Sequence, residues 1–230
     1  MLSFRVAMTW AVLTLPSPFS MATADGRDGL AIVHDCANPI VGVKALSPVD
    51  FDEICRGADD AIAFFGRLSF APAGRLVVEI VPHIPKVVGE SAVGCYLEDE
   101  QRILVIDFPG FARNKTWFDV PIDRSMYRSL VTHEVAHAVA DCNMSIPEPT
   151  IQAKEYLAYV AMFATMNEGL LEEIMNASPG KAFDRESKIN TTIYLCDPMR
   201  FAVRAYRHYL QEGYGDAFLY RVLSGKALAE

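Results

Sequence analysis

Two of the five histidines stand four residues apart with an acid directly after the first, in the run Thr132-His133-Glu134-Val135-Ala136-His137. On an α-helix, residues four apart differ by only about 40° around the axis and lie about 6 Å apart along it. Both imidazoles therefore project from one face, and two ring nitrogens can reach one tetrahedral metal ion. Glu134 lies beside the pair around the helix, poorly placed as a ligand but well placed to meet a water at an open coordination position, as a general base would. A solvent-facing His-Glu-His edge would be flanked by Lys, Glu or Gln. Here Val135, Ala136, Ala138, Val139 and Ala140 surround the pair, an apolar setting that suits a shielded metal site.

A catalytic zinc takes three protein ligands and keeps its fourth position for water. Glu155, in Lys154-Glu155-Tyr156-Leu157-Ala158-Tyr159, is the expected third ligand, because the connection after His137 is long enough to fold the next helix back against the first. Its rivals are Asp141, about 6 Å further along the first helix, Glu148 in the connection, and Glu168 and Glu172 further on. His34 and His83 lack ligand spacing and read as structural or exposed.

The elements that must position these residues are expected as follows. A helix over Asp50 to Leu68 carries Phe51, Ile54, Ala58, Ala61, Ile62 and Phe65 on one face, with Ser47 and Pro48 as its start. Arg75 to Pro82 is a β-branched strand, Pro82 to Gly89 a loop, and Ala92 to Leu97 with Arg102 to Phe108 a β-hairpin around a charged tip. The metal helix starts at Asp123 or Ser125, turns Tyr127, Leu130, Val131, Val135 and Ala138 to the core, and runs to about Asp141. A second long helix spans Thr150 to Met175, a third opens at Pro198 and runs to about Gln211, and a short fourth covers Asp216 to Leu223. Strands first and helices later predict an α+β fold, with a small mixed or antiparallel sheet packed on the metal-binding helix.

A length of 230 residues suits one domain, and the net charge of −8 with scattered Lys and Arg gives no footprint for nucleic acid or an anionic membrane. The first 24 residues read as a cleaved signal peptide: Arg5, an apolar run from Val6 to Leu15, and an exit at Ala22-Thr23-Ala24. The run is about half of the roughly 20 residues that span a bilayer. Residues 25–230 are then a single domain, secreted or periplasmic, without stable membrane insertion. In such a compartment disulfides persist. Cys36 and Cys55, bracketing a Pro- and Gly-containing loop, are expected to pair, as are Cys142 and Cys196, leaving Cys95 free.

The HExxH helix, a second helix bearing Glu after a short connection, and an upstream β-hairpin together resemble the gluzincin branch of the zincin metallopeptidases, especially its small minimal-core members. The resemblance covers roughly Ala92 to Met175. Seventeen residues separate His137 from Glu155, one fewer than is typical of aminopeptidase-like gluzincins. Neither an aminopeptidase GxMEN-like segment nor a metzincin third His after His137 is found. The resemblance implies one Zn2+ per chain on His133, His137 and Glu155, a peptide or protein substrate, and substrate backbone paired with the strand at Arg102 to Phe108 or its partner at Val93 to Leu97. The implied reaction is peptide hydrolysis by a zinc-bound water that Glu134 activates, the same Glu returning the proton to the leaving amine. An oxyanion donor besides zinc is needed, for which Tyr194, Tyr206 and His208 are candidates, with Tyr156 and Tyr159 nearer in sequence. The competing expectations are a catalytically inactive zincin-like binding module, or a structural zinc site closed by Cys142.

Overall fold

The computed structural model describes residues 32–45, 50–86, 89 and 92–229. The expected signal peptide, the helix start at Ser47 and Pro48, and part of the loop before the hairpin lie outside them. Among the described residues a five-stranded mixed sheet runs in the order β1-β2-β3-β5-β4, formed by β1 (Ile32–Asp35), β2 (Val41–Ala45), β3 (Leu76–Val81), β4 (Gly94–Leu97) and β5 (Arg102–Ile106). The three inner strands are parallel and both edge strands antiparallel to their neighbours. The expected β-hairpin is β4–β5, closed by one 3-10 turn at Glu98–Glu100 and a left-handed Gln101.

The crossover from β2 to β3 is α1 (Phe51–Gly66), which lies against β2 and packs along α3 (Arg124–Asp141). The α1–α3 contact is tight at Gly57, where a Cβ would stand 2.6 Å from the Arg128 carbonyl oxygen and 2.9 Å from Val131. Thr132 uses this closeness to donate from Oγ1 to the Gly57 carbonyl at 3.1 Å. Arg128 grips Asp60 of α1 with two nitrogens, at 2.5 and 2.7 Å. At the start of α3, Asp123 is the cap, its side chain accepting from the Met126 amide, and Tyr127 donates to the Ile106 carbonyl at 2.8 Å, tying helix to sheet.

The remaining helices form a second layer behind α3: α4 (Ile151–Thr165), α5 (Glu168–Ala177), α6 (Thr191–Cys196), α7 (Pro198–Tyr209) and α8 (Gly215–Leu223), with α4 packed between α3 and α7. The long helix expected from Thr150 to Met175 is two helices. Met166 is extended, and Asn167 opens α5 by accepting from the amides of Gly169 and Leu170 at 3.1 and 3.3 Å; a side-chain cap competes with helix continuation at such a position. The stretch between Cys36 and Cys55, read as a loop, contains β2, whose Val41 and Val43 are fully buried. Short α2 (Phe108–Ala112), the β6–β7 ribbon (Thr116–Trp117, Val120–Pro121) and α6 had no periodicity long enough to announce them.

Cys36 and Cys55 form a disulfide, and Cys95 is free and buried. The expected Cys142–Cys196 bond is absent, both thiols being free. Cys142 ends α3 with its thiol donating to the Val139 carbonyl and turned to Ala71, whereas Cys196 closes α6 on the helical layer against α4 and α7.

Candidate metal centre

Helix α3 is buried on nearly every side: every residue from Ser129 to Ala140 is enclosed, between the sheet, α1 and α4. That burial makes the polar residues on it expensive unless they have partners. His133 and Glu134 are essentially inaccessible, Glu155 on α4 is 3% exposed, and His137 is the most open of the four at 9%. The two Nε2 atoms stand 3.1 Å apart with the rings edge-to-face. The Glu155 carboxylate reaches each ring, Oε2 lying 3.6 Å from His133 Nε2 and Oε1 3.6 Å from His137 Nε2. One ligating atom from each of the three residues falls within 4.8 Å of the others, so the group could hold a metal ion. The chemistry of the donors fits: two imidazole nitrogens and a carboxylate oxygen converge, and Glu155 Oε2 has no hydrogen-bond partner.

Glu134 is the second oddity. Both its carboxylate oxygens are buried without a partner. It is pressed against the edge strand, since a Cβ on Gly94, the first residue of β4, would stand 2.7 Å from Glu134 Cγ and Oε1. Glycine is the one residue that lets backbone and carboxylate meet so closely.

Burial sets the protonation of the group. It pushes the Glu134 carboxyl well above the ordinary range, with the neighbouring Glu155 charge adding to the effect. It raises Glu155 to about 8, against opposing pulls from the Tyr194 hydroxyl and Lys154. Burial also depresses both imidazoles, His133 strongly and His137 to about 3, Lys154 contributing to the latter. Burial thus disfavours the charged form of all four groups. Lys154, one residue before Glu155, pairs with Glu98 of the turn after β4.

The sequence from residue 41 to 230 matches a family profile described as a family of unknown function, DUF6639. The chain belongs to that family. No curated protein and no solved structure matches it.

Within this family member the other expected site residues are dispersed. Asp141 accepts from Tyr96 Oη at 3.0 Å, and Glu148, Glu168 and Glu172 are exposed; none belongs to the cluster. Tyr159 lays its ring against His133, centroid to centroid 4.4 Å. Tyr194 is buried at the Glu155 carboxyl. Tyr206 packs on Phe163 and Tyr209. His208 Nδ1 is 2.8 Å from Tyr156 Oη, on the far side of α4. Exposed His34 lies with its ring tilted against Phe51, and His83 is exposed. The residue missed from the sequence is Gly94; its signal was an isolated glycine opening an otherwise apolar strand.

Proposed function

We propose that this protein is a zinc-dependent peptidase of the zincin type, acting outside the cytoplasm. The observation that carries the reading is the convergence of His133, His137 and Glu155 beside a buried, unpartnered Glu134. Ligand atoms on a tetrahedral zinc at about 2.0–2.1 Å are roughly 3.3–3.4 Å apart, close to the 3.1 and 3.6 Å separations of the three side chains. When bound there, zinc would supply Lewis acidity and make water acidic enough to deprotonate near neutral pH.

The residues divide the remaining work. His133, His137 and Glu155 hold the ion. Glu134, buried beside the three ligands with neither oxygen partnered, takes the proton of the attacking water and returns it to the leaving amine. Gly94 keeps the backbone of β4 close to that carboxylate. As an outer strand of the sheet, β4 has a backbone edge that no described strand pairs and that can take an extended peptide; β5, the other strand considered for this role, is enclosed between β3 and β4. The Cys36–Cys55 disulfide supports an oxidising compartment, and no described helix is long and apolar enough to cross a membrane.

The test is metal content and cleavage of a mixed peptide library by the purified chain. One zinc per chain is expected, with cleavage that a chelator stops and zinc restores. Glu134→Gln should keep the zinc and lose about 10²- to 10⁴-fold in rate. Zinc-loaded protein with no Glu134-dependent cleavage would instead leave a binding module.

A further inference from the structure

The Tyr194 hydroxyl is fully buried and makes no formed hydrogen bond, although it faces the Glu155 carboxyl. A phenol stranded in a core is costly unless something takes its proton in a hydrogen bond. Its surroundings hold it in place. The ring sits edge-on to Phe201 of α7 at 5.5 Å. Three residues earlier, Thr191 Oγ1 donates to Gln152 Oε1, and Gln152 stands three residues before Glu155 on α4. Short α6, capped by Asn190 accepting from the Ile193 amide, is thus tied to α4 at Thr191, and the same three-residue step along both helices carries Tyr194 to Glu155. Glu155 has the complementary need. Its two oxygens face different imidazoles, and Oε2 has no donor.

Resting on the metal-site reading above, we infer that Tyr194 is a positioning residue for the third ligand: its hydroxyl donates to the Glu155 oxygen not engaged by the metal and fixes the carboxylate for coordination. The role acts on metal retention and not on the attacking water. Partners of this kind behind a ligating side chain change metal affinity by about 10- to 100-fold when removed.

The experiment measures zinc affinity by competition with a chromophoric chelator, and the visible spectrum of the Co2+-loaded protein, for the full chain and for Tyr194→Phe. Tyr194→Phe should bind zinc about 10- to 100-fold more weakly and shift the Co2+ bands. Tyr206→Phe, a like change away from the cluster, should do neither. Equal zinc affinity and an unchanged Co2+ spectrum in Tyr194→Phe would overturn the inference. Should that variant fail to fold, Thr191→Val must weaken zinc binding by loosening α6, and unaltered affinity there overturns it equally. If Glu155→Gln loses zinc while Tyr194→Phe retains it fully, the metal-site reading stands and this one falls. A parent chain that takes up no zinc defeats both.

Discussion

Glu155 and Tyr156 are neighbours on α4, and each is buried against histidine, but the two sides of the helix are built for different ends. Toward α3, Glu155 meets two imidazoles with their Nε2 atoms turned inward, and Glu134 is left without a partner. Toward α7 and α8, Tyr156 Oη meets a single imidazole, His208, at 2.8 Å, and Tyr214 and Phe218 close over the ring at centroid distances of 3.9 and 4.8 Å. His208 keeps one orphan atom, Nε2, as an ordinary core histidine can. Burial alone does not mark a site, since both imidazole environments are depressed toward the neutral form. What separates them is the convergence of several ligating atoms on one point, a buried group that could hold a metal ion.

Metal linkage should break the symmetry most visibly. Zinc at about 1,000 times its dissociation constant stabilises a protein that binds it only when folded by about 4 kcal/mol. Thermal unfolding with and without zinc should show this increment in the parent chain and in His208→Phe, and lose it in His137→Ala. An equal increment in all three would place the metal elsewhere.

Geometry at Glu134 gives the next effect. Gly94→Ala puts a methyl 2.7 Å from the carboxylate, and displacements of about 1 Å at a reacting group cost about 10²-fold. Peptide cleavage should fall by that order with zinc content unchanged; full activity would show that the close approach is packing alone.

The smallest effect belongs to the other side of α4. His208→Phe strands the Tyr156 hydroxyl, and denaturant unfolding should report a loss of about 1–3 kcal/mol with zinc affinity intact. It also carries a pH signature. His208 is depressed from 6.5 to about 4, chiefly by burial, against the opposing charge of Glu186. The unfolded chain therefore takes up a proton that the folded chain refuses, and this contribution to stability is lost as pH falls from 6.5 toward about 4. The metal-free His208→Phe chain should show a shallower acid decline than the metal-free parent, and parallel declines would remove His208 from the account.

Local pattern carried a good deal of this. The β4–β5 hairpin, the strand at β3, the boundaries of α1 and α3, the Asp123 cap and the placing of Glu155 on the following helix all come from short-range periodicity and capping chemistry. The Asn167 cap that divides the second long helix was written just as locally, in Asn-Glu-Gly-Leu, but an apolar run on both sides masked it. The strands β1 and β2 are no shorter than β4 and β5, but the loop reading between Cys36 and Cys55 masks β2, and the Cys142–Cys196 pairing depended on distances between remote helix ends that no spacing encodes.

What the sequence determined by itself is the intrahelical half of the centre: His133, Glu134 and His137 have their relative positions dictated by 3.6 residues per turn, wherever the helix lies. The tertiary structure decided that Glu155 and none of its rivals joins the group, which strands lie on the edges of the described sheet, that Gly94 abuts Glu134 and that Tyr194 is buried at the Glu155 carboxyl. Those relations join residues on different elements, and the packing of α3 between sheet and α4 sets them, so chain order carries no measure of their distance.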